Sequence, residues 1–160
     1  MVDSFETYVP RPSNHERQKR LYSGQKKRHP LKTPIHTDQD GGILSVGKAY
    51  RGPTAGIKIY QEEPIAALLT DTPRMGDKAY CDGKHPEIET PVKKSKGKEL
   101  SAEQKASNKE VSKKRVGVEH SIRRVKGWRI VRDEDRMPLG LFTSVTSAIA
   151  GLIQFATIVG

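Results

Sequence analysis

Residues 112–132, SKKRVGVEHSIRRVKGWRIVR, decide how the rest of the chain is interpreted. The stretch holds one carboxylate, Glu119, among eight Lys and Arg residues. Arg115 lies four residues before Glu119 and Lys126 lies seven after it, so a helix would carry all three on one face. That face borders an apolar stripe and would lie where a packed helix meets solvent or a cleft. The stripe consists of Val111, Val118, Ile122 and Val125.

Two interpretations of this helix are open. Most basic amphipathic helices are solvated surfaces with ion pairs four residues apart, and the residues taken alone favour this interpretation. Alternatively, one acid flanked by two cations could ligate a metal ion while the cations hold phosphates.

The spacing of Arg115, Glu119 and Lys126 resembles the C-terminal signature of insertion-sequence transposases of the DDE superfamily. Members usually carry a tyrosine where this chain has Ser112. Ser101, followed three residues later by Gln104, predicts a capping box. We therefore expect a helix over residues 101–132 that carries the third acidic residue and that Trp128 and Ile130 anchor to the core.

The N-terminal segment carries a second resemblance. Residues 2–9 favour a strand that Pro10 and Pro12 cut short. Residues 2–33, VDSFETYVPRPSNHERQKRLYSGQKKRHPLKT, resemble the first acidic segment of the same family, in which an aspartate-bearing strand leads into a basic run. By itself Asp3 would be an ordinary exposed aspartate, but the resemblance implies that it is the first catalytic carboxylate. The basic run contains Lys26, Lys27 and Arg28.

Residues 72–83, TPRMGDKAYCDG, predict a short strand that runs into a turn. They resemble the family's second acidic segment, with Asp77, Ala79 in place of the usual glycine, and Tyr80. An aspartate beside a glycine often only forms a turn. The resemblance implies that Asp77 is the second catalytic carboxylate, while Asp82 is expected to be a turn former.

The three segments together imply an α/β domain with an RNase H-like mixed sheet and flanking helices, in which Asp3, Asp77 and Glu119 converge. Clustered carboxylates repel one another until divalent cations neutralise them, and ligands that are all oxygen suit Mg²⁺ or Mn²⁺. The resemblance thus implies a transposase that cuts and joins the DNA of mobile-element ends with these ions and is a homodimer when full-length. The expected DNA contacts are Arg115, Arg123, Lys126, Lys26, Lys27 and Arg28.

Between the acidic segments the sequence predicts a meander. Residues 31–37 favour a strand that Pro34 would confine to an edge or a bulge. The turn DQDGG at residues 38–42 leads into a strand over residues 43–50. Pro64 begins a predicted short helix over residues 64–69.

The C-terminal half of the predicted single domain, residues 1–160, begins with a predicted basic loop. Residues 84–100 are rich in proline, lysine and glycine and predict a mobile segment. Residues 138–160 are apolar enough to suggest a membrane span, but six polar residues within them favour a buried core helix.

The net charge of +10 is concentrated in two segments. Fourteen basic and four acidic residues lie between Lys93 and Arg132, and eight basic and one acidic residue lie between Arg11 and Lys32. Two basic segments and an acidic balance elsewhere indicate a polyanionic partner, for which DNA is the best candidate.

Several classes of protein are not supported. The single cysteine, Cys81, permits no internal disulfide, and the histidine and cysteine spacings match no structural zinc site. No Gly-rich nucleotide loop or secretory signal is present, so we expect a cytoplasmic, nucleoid-associated protein with no small-molecule substrate and no membrane.

Two features favour an alternative, an inactive remnant or a non-catalytic basic DNA-binding module. Members of the family usually carry a helical DNA-binding region before the first aspartate, and here only two residues precede Asp3. Many relatives have a histidine–aspartate pair where this chain has Ala55 and Gly56. A third possibility, a structural protein of a ribonucleoprotein, explains the charge but not three matching acidic segments.

Overall fold

The computed structural model describes residues 1–64, 74–80, 85–94, 97, 99–133 and 137–159, which form strands and helices of a mixed α/β fold. The strands are β1 Val2–Tyr8, β2 Pro30–Thr37, β3 Ile43–Val46, β4 Tyr50–Arg51, β5 Arg74–Met75 and β6 Ile88–Glu89. The helices are α1 His15–Leu21, α2 Gly56–Glu62, α3 Ala102–Lys126, α4 Arg129–Arg132 and α5 Leu139–Val159, with a 3-10 turn at Lys78–Tyr80. The predicted α/β class is confirmed.

The larger sheet is antiparallel. Strand β1 pairs with β2 along its whole length, from Val2 opposite His36 to Tyr8 opposite Pro30. On the other side of β2 lie β3 and, further along, β4. Strands β5 and β6 form a separate parallel pair. The first strand, predicted over residues 2–9 and ended by Pro10, is β1, and all seven of its residues pair with β2.

Of the two positions predicted for the second strand, an edge or a bulge, the edge is wrong because β2 has partners on both sides, while its register with β3 does shift between His36 and Thr37. Pro34 is tolerated there because its carbonyl accepts a hydrogen bond from Gly47 N at 3.0 Å, which places its nitrogen on the same side of the strand. Pro34 lies between the residues of β2 that pair with β3 and those that pair with β4, so its missing N–H falls at the gap between the two ladders. The predicted third strand is correspondingly two strands, β3 and β4.

Alternation along β1 decides which side chains face α3. Phe5 packs in a buried cluster with Val118 of α3, and the Thr7 hydroxyl donates to the carbonyl of Val131 at 2.8 Å. Val2, on the opposite face, packs with Tyr80 near α2. Asp3 is two residues before Phe5 and four before Thr7, so its side chain is on the same face of β1 as theirs, the face toward α3.

Helix α3 begins with the predicted capping box: Gln104 N donates to Ser101 Oγ at 3.1 Å, and Ser101 N donates to Gln104 Oε1 at 3.0 Å. It ends at Lys126, six residues earlier than predicted, since Gly127 favours termination and Trp128 is extended. The stripe predicted to face the core does so, with Val111, Val118 and Val125 buried and Ile122 packed against the same cluster.

The prediction that Trp128 and Ile130 anchor this end of the chain to the core is wrong. Their side chains are 43% and 42% exposed. The helix breaks at Gly127, and a separate short helix, α4, follows, so the side chains after the break point in directions other than those of a continuous helix. Val131, which is fully buried, is the anchor instead.

Helix α5 covers the free edge of the sheet with one face. Thr143 Oγ1 accepts a hydrogen bond from Ala49 N, and Gln154 Oε1 accepts one from Ile43 N, both at 3.1 Å. By length and composition it could also cross a membrane, a test that the core helix of a soluble protein equally passes. Its outer face is apolar and exposed. The residues facing inward are Phe142, Thr146, Ile149, Ala150 and Ile153.

Some predicted features lie outside the described residues: the helix over residues 65–69 beyond Pro64, and Cys81 and Asp82. Of the predicted loop over residues 84–100, the described part includes β6. It also includes Val92, whose backbone forms two hydrogen bonds with the Asn108 side chain.

Candidate active site

A salt bridge joins the first strand to the long helix. Arg115 Nη2 lies 2.8 Å from Asp3 Oδ2, and the two side chains are 18% and 13% exposed. The pair forms because Asp3 and Phe5 share a face of β1, while Arg115 lies one turn before Val118 on α3. The burial of Phe5 and Val118 in one core cluster therefore brings the carboxylate and the guanidinium together.

Asp77 reaches the same place from a different part of the chain. It follows β5, and its Oδ1 accepts a hydrogen bond from Ala79 N at 2.6 Å, so that it heads the 3-10 turn. The turn-forming role considered for this aspartate is thus present. Its charge also acts on Asp3, so one oxygen shapes the turn while the carboxylate remains part of the cluster.

The pKa values of Asp3 and Tyr80 both reflect burial close to other charged groups. Burial raises the pKa of Asp3 above its usual value, against the hydrogen bond from Ser4 N and the ion pair with Arg115, and the charge of Asp77 raises it further. Burial likewise raises the pKa of Tyr80, which feels the charges of Asp3, Asp77 and Arg115. Arg115 links the two aspartates, because it bonds to Asp3 and lines the same cleft as Asp77.

A cleft of about 290 Å³ opens beside this cluster. One wall is a polar stripe of α3 at helical spacing, Asn108, Ser112 and Arg115. The Ser112 hydroxyl, at the position where relatives have a tyrosine, donates to the carbonyl of Asn108 at 2.8 Å. The opposite wall is made of Asp77, Lys78 and Pro91.

Glu119, the third predicted carboxylate, lies one helical turn beyond Arg115 on the same face of α3. Its side chain is exposed and makes no hydrogen bond or ion pair with the described residues. Among those residues, no group of three or more His, Cys, Asp or Glu side chains is close enough to hold a metal ion. The structure therefore brings Asp3 and Asp77 together and leaves Glu119 at the border of the cluster.

The donor set nevertheless suits a hard divalent cation. Asp3, Asp77 and Glu119 offer only carboxylate oxygens, which Mg²⁺ and Mn²⁺ prefer. The repulsion between Asp3 and Asp77, which contributes to the raised pKa of Asp3, is of the kind that a divalent cation relieves.

The predicted DNA contacts fall on two sides of β1. Arg123 is exposed and Lys126 half-buried on α3. The basic run is on the other face: Lys26 lies 3.7 Å from Glu6, and the Arg28 guanidinium lies 5.1 Å from the centre of the Tyr8 ring. Glu6 and Tyr8 alternate with Asp3 along the strand, so the basic run contacts the face of β1 opposite to the one that carries Asp3.

Ala55 and Gly56, at the positions of the histidine–aspartate pair in many relatives, start α2. A Cβ on Gly56 would lie 3.2 Å from the Cβ of Ala79, two residues after Asp77. The absence of a side chain at Gly56 therefore leaves room for the methyl group of Ala79.

Two residues of the site were not assigned a role from the sequence. Tyr80 was noted only as part of a motif, and its burial beside two carboxylates depends on tertiary packing. Asn108 could have been found, since it lies four residues before Ser112 and seven before Arg115 on the same helix face.

The sequence model of the family described as DDE superfamily endonuclease matches residues 2–156. The chain is also similar to a probable transposase for insertion sequence element IS702 from Microchaete diplosiphon. The two are 31% identical over 160 residues, an alignment that covers 97% of this chain and 56% of the relative. The chain thus spans little more than half the length of that relative. No solved structure matches it.

Proposed function

The chain belongs to the DDE superfamily of endonucleases, and on that premise we propose that it is the part of a transposase that cuts and joins DNA at mobile-element ends. The observation that carries the proposal is that Arg115 of α3 bonds to Asp3 and lines the same cleft as Asp77, although the three residues are distant in sequence. The proposal includes an RNase H-like arrangement, which the antiparallel order β1–β2–β3 supports.

In this proposal Asp3, Asp77 and Glu119 are the catalytic carboxylates and hold Mg²⁺ or Mn²⁺. Such ions, when bound, activate an attacking oxygen and stabilise the leaving oxygen of a phosphoryl displacement. The protein's own part is placement. Strand β1 holds Asp3 half-buried, the 3-10 turn holds Asp77 through its bond to Ala79, and α3 presents Glu119 from the side.

DNA is the substrate, and the basic side chains would hold its backbone. Arg115, Arg123 and Lys126 lie on the helix that borders the cleft and would bind phosphates there without reading the base sequence. Lys26, Lys27 and Arg28 would contact a second stretch of backbone, since they lie beyond the opposite face of β1. We infer that the full-length protein acts as a homodimer on DNA in the cytoplasm, at the nucleoid.

A Mn²⁺-dependent nicking assay on supercoiled DNA tests this function. The parent chain is expected to nick, and Asp77→Asn and Glu119→Gln are expected to lose that activity at least about a hundredfold, because each removes a metal-binding charge. Glu103→Gln, an exposed glutamate in the first turn of the same helix, is the matched control and should cut like the parent. Equal cutting by all four proteins would show that the carboxylates are assigned wrongly.

A second candidate function, DNA binding without turnover, is favoured by one observation. Ala55 and Gly56 offer no side chain that binds metal or moves a proton where many relatives have a histidine and an aspartate. If the parent chain binds DNA with a strong dependence on salt but nicks nothing, this candidate replaces the first.

A further inference from the structure

Arg115 binds Asp3 through only part of its guanidinium group. Its Nη2 donates to Asp3 Oδ2 at 2.8 Å, whereas its Nε is buried and has no hydrogen-bond partner among the described residues. A guanidinium group carries five N–H donors in a planar fork that suits two oxygens of one acidic group. The contact with Asp3 therefore leaves part of this fork unused at the edge of the cleft.

Both partners of this ion pair have another role under the proposed function. Asp3 is needed as a metal ligand and Arg115 as a phosphate contact. We propose that Arg115 is a placeholder that occupies Asp3 in the DNA-free protein, and that it transfers to a DNA phosphate when a divalent cation takes Asp3. This inference rests on the proposed function and adds to it a coupling between metal binding and DNA binding.

The sign of the coupling follows from charge. A guanidinium and a divalent cation repel each other, so both are not expected at Asp3 Oδ2, and metal binding must include the release of Arg115. A phosphate that attracts Arg115 lowers the free energy needed for that release. By linkage, the metal must then strengthen phosphate binding by the same factor.

The surroundings of Arg115 support a phosphate as its second partner. It lines the cleft of about 290 Å³ together with Asn108, whose amide group has two N–H donors and gives one of them to the Val92 carbonyl. At 18% exposure, its side chain already borders solvent. A change of rotamer, rather than a movement of α3, would therefore bring the fork to a phosphate in the cleft.

The test measures Mn²⁺ binding directly, by the electron paramagnetic resonance signal of the free ion, with the protein alone. Arg115→Gln is expected to bind Mn²⁺ about tenfold more tightly than the parent, because no cation has to leave Asp3. Lys78→Gln removes the same charge from the same cleft but no contact with Asp3. It should change the affinity by no more than about twofold.

A short DNA duplex at fixed salt completes the test. It should raise the Mn²⁺ affinity of the parent and of Lys78→Gln at least about fivefold, and that of Arg115→Gln hardly at all. Thermal unfolding checks that each variant folds. If Arg115→Gln does not, Arg115→Lys, which keeps the charge without the planar fork, should show a smaller change in the same direction.

Two outcomes would overturn the inference in different ways. If Mn²⁺ binds but Arg115→Gln and Lys78→Gln behave alike, and DNA still strengthens binding in both, the placeholder role is wrong while the metal site stands. If no form binds Mn²⁺, with or without DNA, the metal-dependent function fails and this inference fails with it.

Discussion

Gly41 and Gly117 meet backbone to backbone: a Cβ on Gly41 would lie 2.8 Å from the carbonyl oxygen of Gly117. Gly41 is in the turn between β2 and β3 and has a φ of +88°, while Gly117 is in the middle of α3. The single hydroxyl proton of Ser121 is shared between the carbonyls of the two residues, with the oxygen 2.5 Å from Gly41 O and 3.1 Å from Gly117 O. This contact sets the distance between α3 and the β2–β3 turn. It thereby helps to set the position of Arg115 relative to Asp3.

The first prediction concerns this contact. Gly41→Ala should lower the free energy of unfolding by about 2–4 kcal/mol, because an L residue is strained at that φ and its Cβ meets backbone atoms that cannot turn away. Urea unfolding followed by circular dichroism measures the change. Gly24→Ala is the control, since Gly24 has a negative φ and open space around its Cβ position. A Gly41→Ala protein as stable as the Gly24→Ala protein would contradict the close approach.

The second prediction concerns acid stability. His36 in β2 is buried, its Nδ1 lies 3.0 Å from Ser45 Oγ, and its Nε2 has no partner among the described residues. Burial, assisted by nearby positive charge, lowers the pKa of His36 to about 4. The unfolded chain therefore binds more protons than the folded one between about pH 6.5 and 4. The free energy of unfolding accordingly decreases as the pH is lowered through that window.

Within that window His36 should contribute a slope of up to about 1.4 kcal/mol per pH unit in the free energy of unfolding. His36→Gln should remove this contribution, so its unfolding free energy should depend less on pH between 6.5 and 4 than that of the parent. His15→Gln, at an exposed helix start, should leave the slope as it is. Parallel curves for the parent and His36→Gln would show that the histidine does not titrate as described.

The features of α3 that depend only on residues close together in the sequence could be predicted from the sequence. The capping box at Ser101 and the spacing of Val111, Val118 and Val125 each involve residues within a few turns of one helix, and both are present. The end of α3 was missed because helix propensity falls at Gly127 while the basic, apolar pattern continues past it. Pro34 could not decide between an edge and a bulge for β2, because that depends on which residues of β2 pair with β3 and which pair with β4.

The candidate site was predictable as a set of residues but not as a set of contacts. The resemblance pointed to Asp3, Asp77 and Arg115, which the structure brings together. The pairing of Arg115 with Asp3 joins residues 112 positions apart, and its geometry depends on the burial of Phe5 and Val118 in one core cluster. No spacing in the sequence carries that information.

The third prediction concerns the start of α3. Residues 102–107 are all exposed, so the first turns of the helix project beyond the core. Ser101→Ala should therefore increase amide hydrogen exchange in these turns, by about 1 kcal/mol in local opening free energy, with little change in global stability. Ser112→Ala, an exposed serine further along the helix, is the control and should not affect exchange at residues 102–107. A large loss of global stability in Ser101→Ala would show instead that these turns are part of the cooperative core.

The fourth prediction separates two neighbouring arginines on α3. Arg124 donates to the Ile153 carbonyl at 3.1 Å and to Thr157 Oγ1 at 2.7 Å, which ties α3 to the C-terminal half of α5. Arg123 is exposed and makes no such bonds, and we propose it as a DNA contact. One side chain is thus expected to serve stability and the other binding.

Arg124→Gln should lower the free energy of unfolding by about 0.5–1.5 kcal/mol and speed amide exchange near Thr157, because hydrogen bonds to α5 are lost. Arg123→Gln should leave stability unchanged but weaken DNA binding and reduce the slope of log K against log salt by about 1, the loss of one phosphate contact. Urea unfolding and fluorescence anisotropy with a labelled duplex at several salt concentrations measure the two effects on the same four preparations: parent, each single variant and the double variant. In the double variant the two effects should simply add, since the side chains act on different partners. If Arg123→Gln destabilises the fold as much as Arg124→Gln does, or if both weaken DNA binding equally, then the face of α3 that meets DNA is not the one that borders the cleft.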